Sequence, residues 1–370
     1  MRRFWILFVT ELKAWRYDPL PTLGGFIPTL TVLIAFGLLF GGRLTFKIAV
    51  LNNDAGVWGD ALRGTFAEVQ SPFGTPYYDV FDLSADEAWS AYRAHRLDGV
   101  WVIPADFSTR LQAGQQPRVE IYFDNYNDDR AKNHRIYAAE ILWRFYEKAG
   151  LPAPPLSLAE EYPRDEMVGW FPIIAVGVML LSVTIGAMFN VFLLTNKELV
   201  SGIVLEFGLM PRSLGWVMLP KLLLALVMGL FTGAVFMGLL RVWPGIWPGR
   251  YLWAVGLLCG LVALFWIAWA LLFGLRMRAY FAGAAAIILT GLTVFFIGGG
   301  MSPVRGWESK VLFVAWLFPN THVIDALRDL ILFHTWPADW RWVLLKLIGF
   351  AAVSLGIGLG MAARRLRRWG

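Results

Sequence analysis

From Thr22 to Phe40 the chain carries no charged side chain, and the same holds for Val168–Thr195, Tyr251–Leu275 and Ala279–Gly300. Inside hydrocarbon, a run of this length satisfies its backbone amides only by folding as a helix, because lipid offers them no partner. Two more runs, 216–240 and 342–363, each hold one lysine, Lys221 and Lys346. Lys346 sits near the end of its run, where it can snorkel to the interface. The pattern predicts six spans: 22–40, 168–195, 216–240, 251–275, 279–300 and 342–363. Composition agrees. Hydrophobic residues make up 57% and charged residues 16%, whereas a soluble domain is about one-quarter charged.

The segments around these runs set the domain plan. Residues 1–18 are amphipathic, with Phe4, Ile6, Leu7, Phe8, Leu12 and Trp15 interleaved with Arg2, Arg3, Glu11, Lys13 and Arg16. That mixture suits a helix lying among lipid headgroups, or one packed on protein. Residues 19–42 hold the first span. It is read as retained rather than cleaved, because it starts late and Gly41-Gly42-Arg43 offers no small-residue cleavage site. Between 43 and 166 the period changes. Strands are expected at 46–51, 77–83, 99–103 and 119–123, and helices near 57–69, 84–96, 105–113 and 128–149. Ser84 and Glu87 read as a capping box. Alternating strands and helices imply an α/β domain. The Pro-rich stretch 151–165 then leads back as a semi-rigid linker. Residues 167–370 hold spans two to six.

One segment resists a simple reading. Residues 311–334 are apolar, yet carry His322, Asp325, Arg328 and Asp329 beyond a Pro319-Asn320 break. A charge at mid-bilayer costs roughly 2.5–3.5 kcal/mol on insertion scales. A broken, re-entrant helix pair shielded by protein is therefore expected before the last span. Asp325, Arg328 and Asp329 share a helical face, and mutual pairing is their expected role.

Orientation follows from basic residues near span ends. With the N-terminus inside, the inside segments hold thirteen: Arg2, Arg3, Lys13, Arg16, Lys197, Arg212, Lys221, Arg276, Arg278, Arg364, Arg365, Arg367 and Arg368. The short outside segments hold six: Arg241, Arg250, Arg305, Lys310, Arg328 and Arg341. Both termini are expected in the cytoplasm and the α/β domain outside it. The net charge of +6 is thus spent on topology, not gathered on one face as nucleic-acid binding would require.

Chemical motifs are missing. The sequence holds no G-x-x-x-x-G-K-[ST] phosphate cradle, no H-E-x-x-H and no G-x-S-x-G elbow. Its four histidines, His95, His134, His322 and His334, lack metal-ligand spacing. The one cysteine, Cys259, lies in an apolar run and reads as a small buried hydrophobe. Asp124, Asp128 and Asp129 read as a solvated turn and helix start. Gly229/Gly233, Gly256/Gly260 and Gly356/Gly360 permit close helix packing. Trp266, Trp269, Phe295 and Phe296 suit either packing or contact with a hydrophobic substrate. No enzymatic role and no bound cofactor are expected. The loop after the second span is too apolar to be solvated. A short helix at 197–207, ended by Gly208 and Pro211, would lie at the membrane surface and offer Phe207, Leu209 and Met210 to a partner; a plain turn with an interfacial helix is the alternative.

Glu198, Gly202, Phe207, Pro211 and Lys221 occur here in the order of a segment found in membrane subunits of ABC-2 type ATP-binding-cassette transporters. Phe318-Pro319-Asn320, followed by Asp325-Ala326-Leu327-Arg328, is similar to that family's late segment. Val50-Leu51-Asn52-Asn53-Asp54 and Ile103-Pro104-Ala105-Asp106-Phe107-Ser108 resemble motifs of its drug-exporter-like branch, which carries an extracytoplasmic α/β domain. Val200-Ser201-Gly202-Ile203 departs from the usual Gly-Thr and leaves the register there open. The resemblance covers essentially the whole chain. It implies a bacterial inner-membrane permease, working as a dimer with a second copy or a homologous permease. Two copies of a cytoplasmic ATPase would bind the ATP and Mg. Coupling to them would fall to Lys197, Glu198, Gly202, Glu206, Phe207, Met210 and Pro211. An outer gate would be formed by Pro319, Asn320, Asp325, Arg328 and Asp329. Membrane lipids and a periplasmic adaptor are further partners it allows. The competing reading is a membrane-anchored receptor or adaptor whose outer domain binds a ligand.

Overall fold

A computed structural model describes residues 2–18, 20–40, 45–71, 74–94, 96–115, 117–123, 128–150, 168–203, 215–302, 304 and 309–367. The chain divides into a helical unit, residues 1–41 and 168–370, and an α/β unit, residues 42–167.

In the α/β unit, β1 (Phe46–Asn52), β2 (Tyr78–Phe81), β3 (Gly99–Ile103) and β4 (Glu120–Phe123) form one sheet of order β2-β1-β3-β4. β1 runs parallel to both neighbours and β4 antiparallel to β3. Four helices connect or follow the strands: α3 (Val57–Glu68), α4 (Ala85–Arg93), α5 (Phe107–Gln112) and α6 (Asp128–Lys148). All eight elements fall within a few residues of their expected places. The period-two alternation of β1 explains the layering. Ile48 and Val50 join Trp101, Ile103, Phe66, Ile141 and Phe145 in one core, whereas Ala49 joins Ala88, Ala91 and Leu97 on the opposite face under α4. Glu87 closes the expected capping box by accepting the Ser84 N–H at 3.0 Å. Asp124 lies outside the described residues, and Asp128 opens α6.

In open α/β sheets, ligands enter the crevice at the carboxyl ends of strands where the strand order reverses. Here that place, after β1 and β3, is filled by the chain itself. Asp54 accepts the Ser108 hydroxyl at 2.5 Å, the Ser108 N–H at 3.2 Å and the Gly59 N–H at 3.1 Å. One carboxylate thereby serves the first turns of both α3 and α5, where unpaired N–H groups favour negative charge. The two sequence motifs of this unit are thus a structural clamp. Burial alone would push the Asp54 carboxyl up, but the hydrogen bonds from Ser108, Gly59 and Gly56 outweigh it and hold the group below the usual carboxylate range. A depressed pKa contributes stability that is complete above the unfolded value, about 3.9, and is lost as pH falls through the folded value. Asp54→Asn should therefore cost about 1.5–3 kcal/mol, the worth of charge-assisted hydrogen bonds. The check is hydrogen exchange on the intact chain: the Gly59 and Ser108 amides should exchange faster in the variant at pH 7. In the native chain the same amides should lose protection only at acid pH.

The helical unit opens with α1 (Arg2–Tyr17), followed by α2 (Leu20–Phe40), α7 (Trp170–Ser201), α8 (Gly215–Val242), α9 (Leu252–Arg276), α10 (Tyr280–Ile297), α11 (Ser309–Ala315), α12 (Pro319–Ile331) and α13 (Trp340–Arg367). Among the described residues six helices are long and apolar enough to cross a membrane: α2, α7, α8, α9, α10 and α13. α7 is the hub, buried almost throughout, with α2, α8, α9, α10 and α12 packed around it. Small residues let the hub be approached closely. A Cβ on Gly25 of α2 would lie 2.7 Å from the Gly186 backbone of α7. Of the three glycine pairs, Gly229 and Gly233 pack on α7 at Ala187 and Val183; Gly256, Gly356 and Gly360 meet nothing within 4 Å.

Two ends of this unit are defined by contacts. At one end Phe171, opening α7, packs 4.6 Å from Trp243, just past α8, with the rings tilted at 39°, and Trp253, opening α9, meets Trp340, opening α13, at 6.4 Å. At the other end, Asn196 near the close of α7 bonds the Met277 carbonyl past α9, and Arg365 near the close of α13 bonds the Leu275 carbonyl at 3.0 Å. α1 packs beside the start of α8. The N-terminal helix and the close of α13 therefore share an end. α10 finishes at the opposite end, where α13 begins.

Candidate functional site

The shared end of α1, α7 and α8 holds a buried ion cluster. The Lys221 ammonium, on a side chain 2% exposed, pairs with both the Glu198 carboxylate of α7 and the Glu11 carboxylate of α1. Both acids are mostly buried too, and Glu198 Oε2 has no hydrogen-bond partner among the described residues. Lys197 pairs with Asp18 just beyond α1, and Trp15 Nε1 donates to Thr22 Oγ1 of α2 at 2.6 Å. A charge this buried is tolerated only when it is paired. The cluster thus fixes α1, the close of α7 and the start of α8 as one piece.

The sequence starts a separate helix at 197; the structure assigns 197–201 to α7 instead, and 204–207 lie outside the described residues. α7 continues through Lys197 and Glu198 to Ser201, because nothing between Thr195 and Ser201 breaks a helix. Gly202 ends it in the left-handed conformation at φ 79°. Glu206, Phe207, Met210 and Pro211 lie outside the described residues. Lys197, Glu198 and Gly202 are together at the end of α7. Glu11 escaped sequence reasoning as a partner, since nothing in the spacing links it to Lys221, 210 residues away.

A second polar set lies around α12. Pro319 occupies its first turn, where the missing N–H costs nothing. The Asn320 side chain accepts Trp266 Nε1 at 2.7 Å and donates to Thr184 Oγ1 at 3.3 Å, bridging α9 and α7. Trp266 also stacks on Phe318 at 5.8 Å. Thr184 and Trp266 each stand 14 residues into their helices, about 21 Å along the axis at 1.5 Å per residue. Arg328 is buried and donates to the carbonyls of Gly299 at 2.6 Å and Gly300 at 3.2 Å, and to Asp325 at 3.3 Å. Its principal work is therefore to satisfy backbone oxygens past the end of α10, which the expected pairing of Asp325, Arg328 and Asp329 did not foresee. The Asp329 carbonyl takes the Thr335 N–H at 3.0 Å. Trp266 and Phe295 are buried packing residues, whereas Trp269 and Phe296 are exposed. Among the described residues no three His, Cys, Asp or Glu side chains group to hold a metal.

Comparison with known proteins agrees with this architecture. The sequence profile of the "ABC-2 family transporter protein" family matches residues 22–359. The "Probable multidrug ABC transporter permease YbhR" of Escherichia coli strain K12 is 22% identical over 377 aligned residues, covering 95% of this chain and 98% of that protein. Its counterpart in Escherichia coli O157:H7 aligns with the same identity and coverage. Nearly the whole chain, with its six apolar helices, thus falls within one family description, and the protein belongs to the ABC-2 family of transporter proteins.

Proposed function

We propose that this chain is the membrane-spanning permease subunit of an exporter that moves hydrophobic or amphipathic molecules out of the cytoplasm, driven by ATP hydrolysed on a separate subunit. The observation that carries this reading is the Glu11–Lys221–Glu198 cluster. It ties an interfacial helix and two spans together just before α7 ends at Gly202. A partner pressing on residues 203–212 would therefore move α7, the hub of the bundle, rather than a slack loop. The termini face the cytoplasm and the α/β domain faces outward, in line with the distribution of arginine and lysine. Six spans make half a transporter, so the working unit is a dimer of permeases with two ATPases. α11 and α12 form a re-entrant pair. Their turn reaches Thr184 and Trp266 deep along α7 and α9, and Asn320 and Arg328 satisfy the polar groups that such a turn exposes. Among the polar residues of this pair, Asp325 and Asp329 are only half-buried, as an outer gate requires.

The test is Glu206→Arg in proteoliposomes containing permease and ATPase. The expected result is a complex that keeps its ATPase and hydrolyses ATP but loses transport. Normal transport by that variant with its ATPase bound would refute the lever.

A further inference from the structure

Where α9 and α13 begin, four aromatic rings gather. Trp336 lies 5.3 Å from Tyr251, 5.8 Å from Trp253 and 4.9 Å from Trp340, mostly edge to face. Beside them opens a cleft of about 460 Å³ whose lining includes Trp336, Trp340, Asp339 and Arg341, within the range of small-ligand sites. The cleft is held by a rigid turn. Pro337 is buried, and its carbonyl accepts the Trp340 N–H at 3.2 Å. Trp336 is nonetheless 47% exposed. Tyr251 holds the Arg250 guanidinium 4.9 Å over its ring and accepts its N–H at 2.8 Å, so that cation is kept on Tyr251 and outside the lining of the cleft.

We propose that this cleft seats the headgroup of a zwitterionic phospholipid bearing a primary ammonium. The charges complement such a headgroup one for one. The indole faces and the Asp339 carboxylate suit the ammonium, and the Arg341 guanidinium suits the phosphate. The position is also right, because the starts of two membrane-spanning helices lie at headgroup level. A headgroup of net negative charge would leave Asp339 opposed by a like charge. A general aromatic belt would not distinguish the two lipids.

The experiment uses the full chain, delipidated in maltoside micelles, with short-chain phosphatidylethanolamine titrated under native mass spectrometry. Phosphatidylglycerol of the same acyl chains serves as the control. The native chain should retain phosphatidylethanolamine more strongly. The Asp339→Asn, Arg341→Gln double variant, altered only at exposed positions, should lose that preference by about tenfold, the size of one desolvated cation–π or ion contact. Trp336→Leu should lose it too, and Trp336→Phe should keep most of it. Should Trp336→Leu fail to fold, the double variant decides alone. Equal retention of the two lipids, or an unchanged preference in the double variant, overturns the proposal. So does displacement of bound lipid by equimolar free glycerophosphoethanolamine, which would assign the cleft to a soluble ligand. The outcome is independent of the Glu206 experiment, since no ATPase is present.

Discussion

Lys221→Met should be among the most damaging single substitutions in the helical unit, lowering stability by about 3–5 kcal/mol, as breaking a buried ion pair does. Two carboxylates, Glu11 and Glu198, would then face each other with their shared counter-ion removed. Glu11→Gln alone should cost far less, because a neutral Lys221–Glu198 pair remains. The decisive variant is the triple one, Glu11→Gln, Lys221→Met, Glu198→Gln. It leaves no uncompensated charge, so most of the lost stability should return. Thermal unfolding in detergent reads the first effect. Transport by the triple variant reads the second. If the cluster transmits force, ATP hydrolysis should persist in the triple variant while transport falls, because a methionine donates no hydrogen bond and α8 is then held to α1 and α7 by packing alone at that point. A triple variant as unstable as Lys221→Met would show that packing, not charge, is at stake.

This cluster also marks where sequence reasoning stops. The spans were legible, because a bilayer permits so few backbones that the absence of charge over twenty or so residues leaves little choice. The α/β unit was legible for a related reason: its strands and helices have different periods, and those periods alternate. The break at Pro319-Asn320 was visible from the proline alone. Partnerships were not. Lys221 reads from sequence as a topology-setting lysine near a span end, and only the fold brings Glu11 to it. The end of α7 was misplaced because charged Lys197 and Glu198 look like the start of a surface helix. The helix passes through them since their charges find partners at Asp18 and Lys221. Gly229 and Gly356 sit in identical spacings, yet only the first has a helix against it. Which face of a helix meets a neighbour is a property of the whole bundle.

Arg328→Met should cost nearly as much as Lys221→Met, for a different reason. The arginine is buried and gives its hydrogen bonds mainly to the Gly299 and Gly300 carbonyls. Those oxygens lie just past α10, where helical bonding has ended, and the guanidinium is buried with them. Each charge-assisted hydrogen bond is worth about 1.5–3 kcal/mol, so losing both principal ones should cost roughly 3–5 kcal/mol. Arg328→Lys keeps the charge but not the planar fork, and a single ammonium cannot reach both carbonyls and Asp325 with the same geometry. It should recover only part of the loss. Asp325→Asn, at the half-exposed end of the same network, should cost under about 1 kcal/mol. The order Met, Lys, Asn in decreasing damage, read by thermal unfolding, separates a clamp on backbone oxygens from a simple ion pair. If the ion pair were the essential element, Asp325→Asn would hurt as much as Arg328→Lys. If the clamp is, exchange of the α12 amides should rise in the arginine variants and stay unchanged in Asp325→Asn, because the arginine, not the carboxylate, bonds the carbonyls past α10.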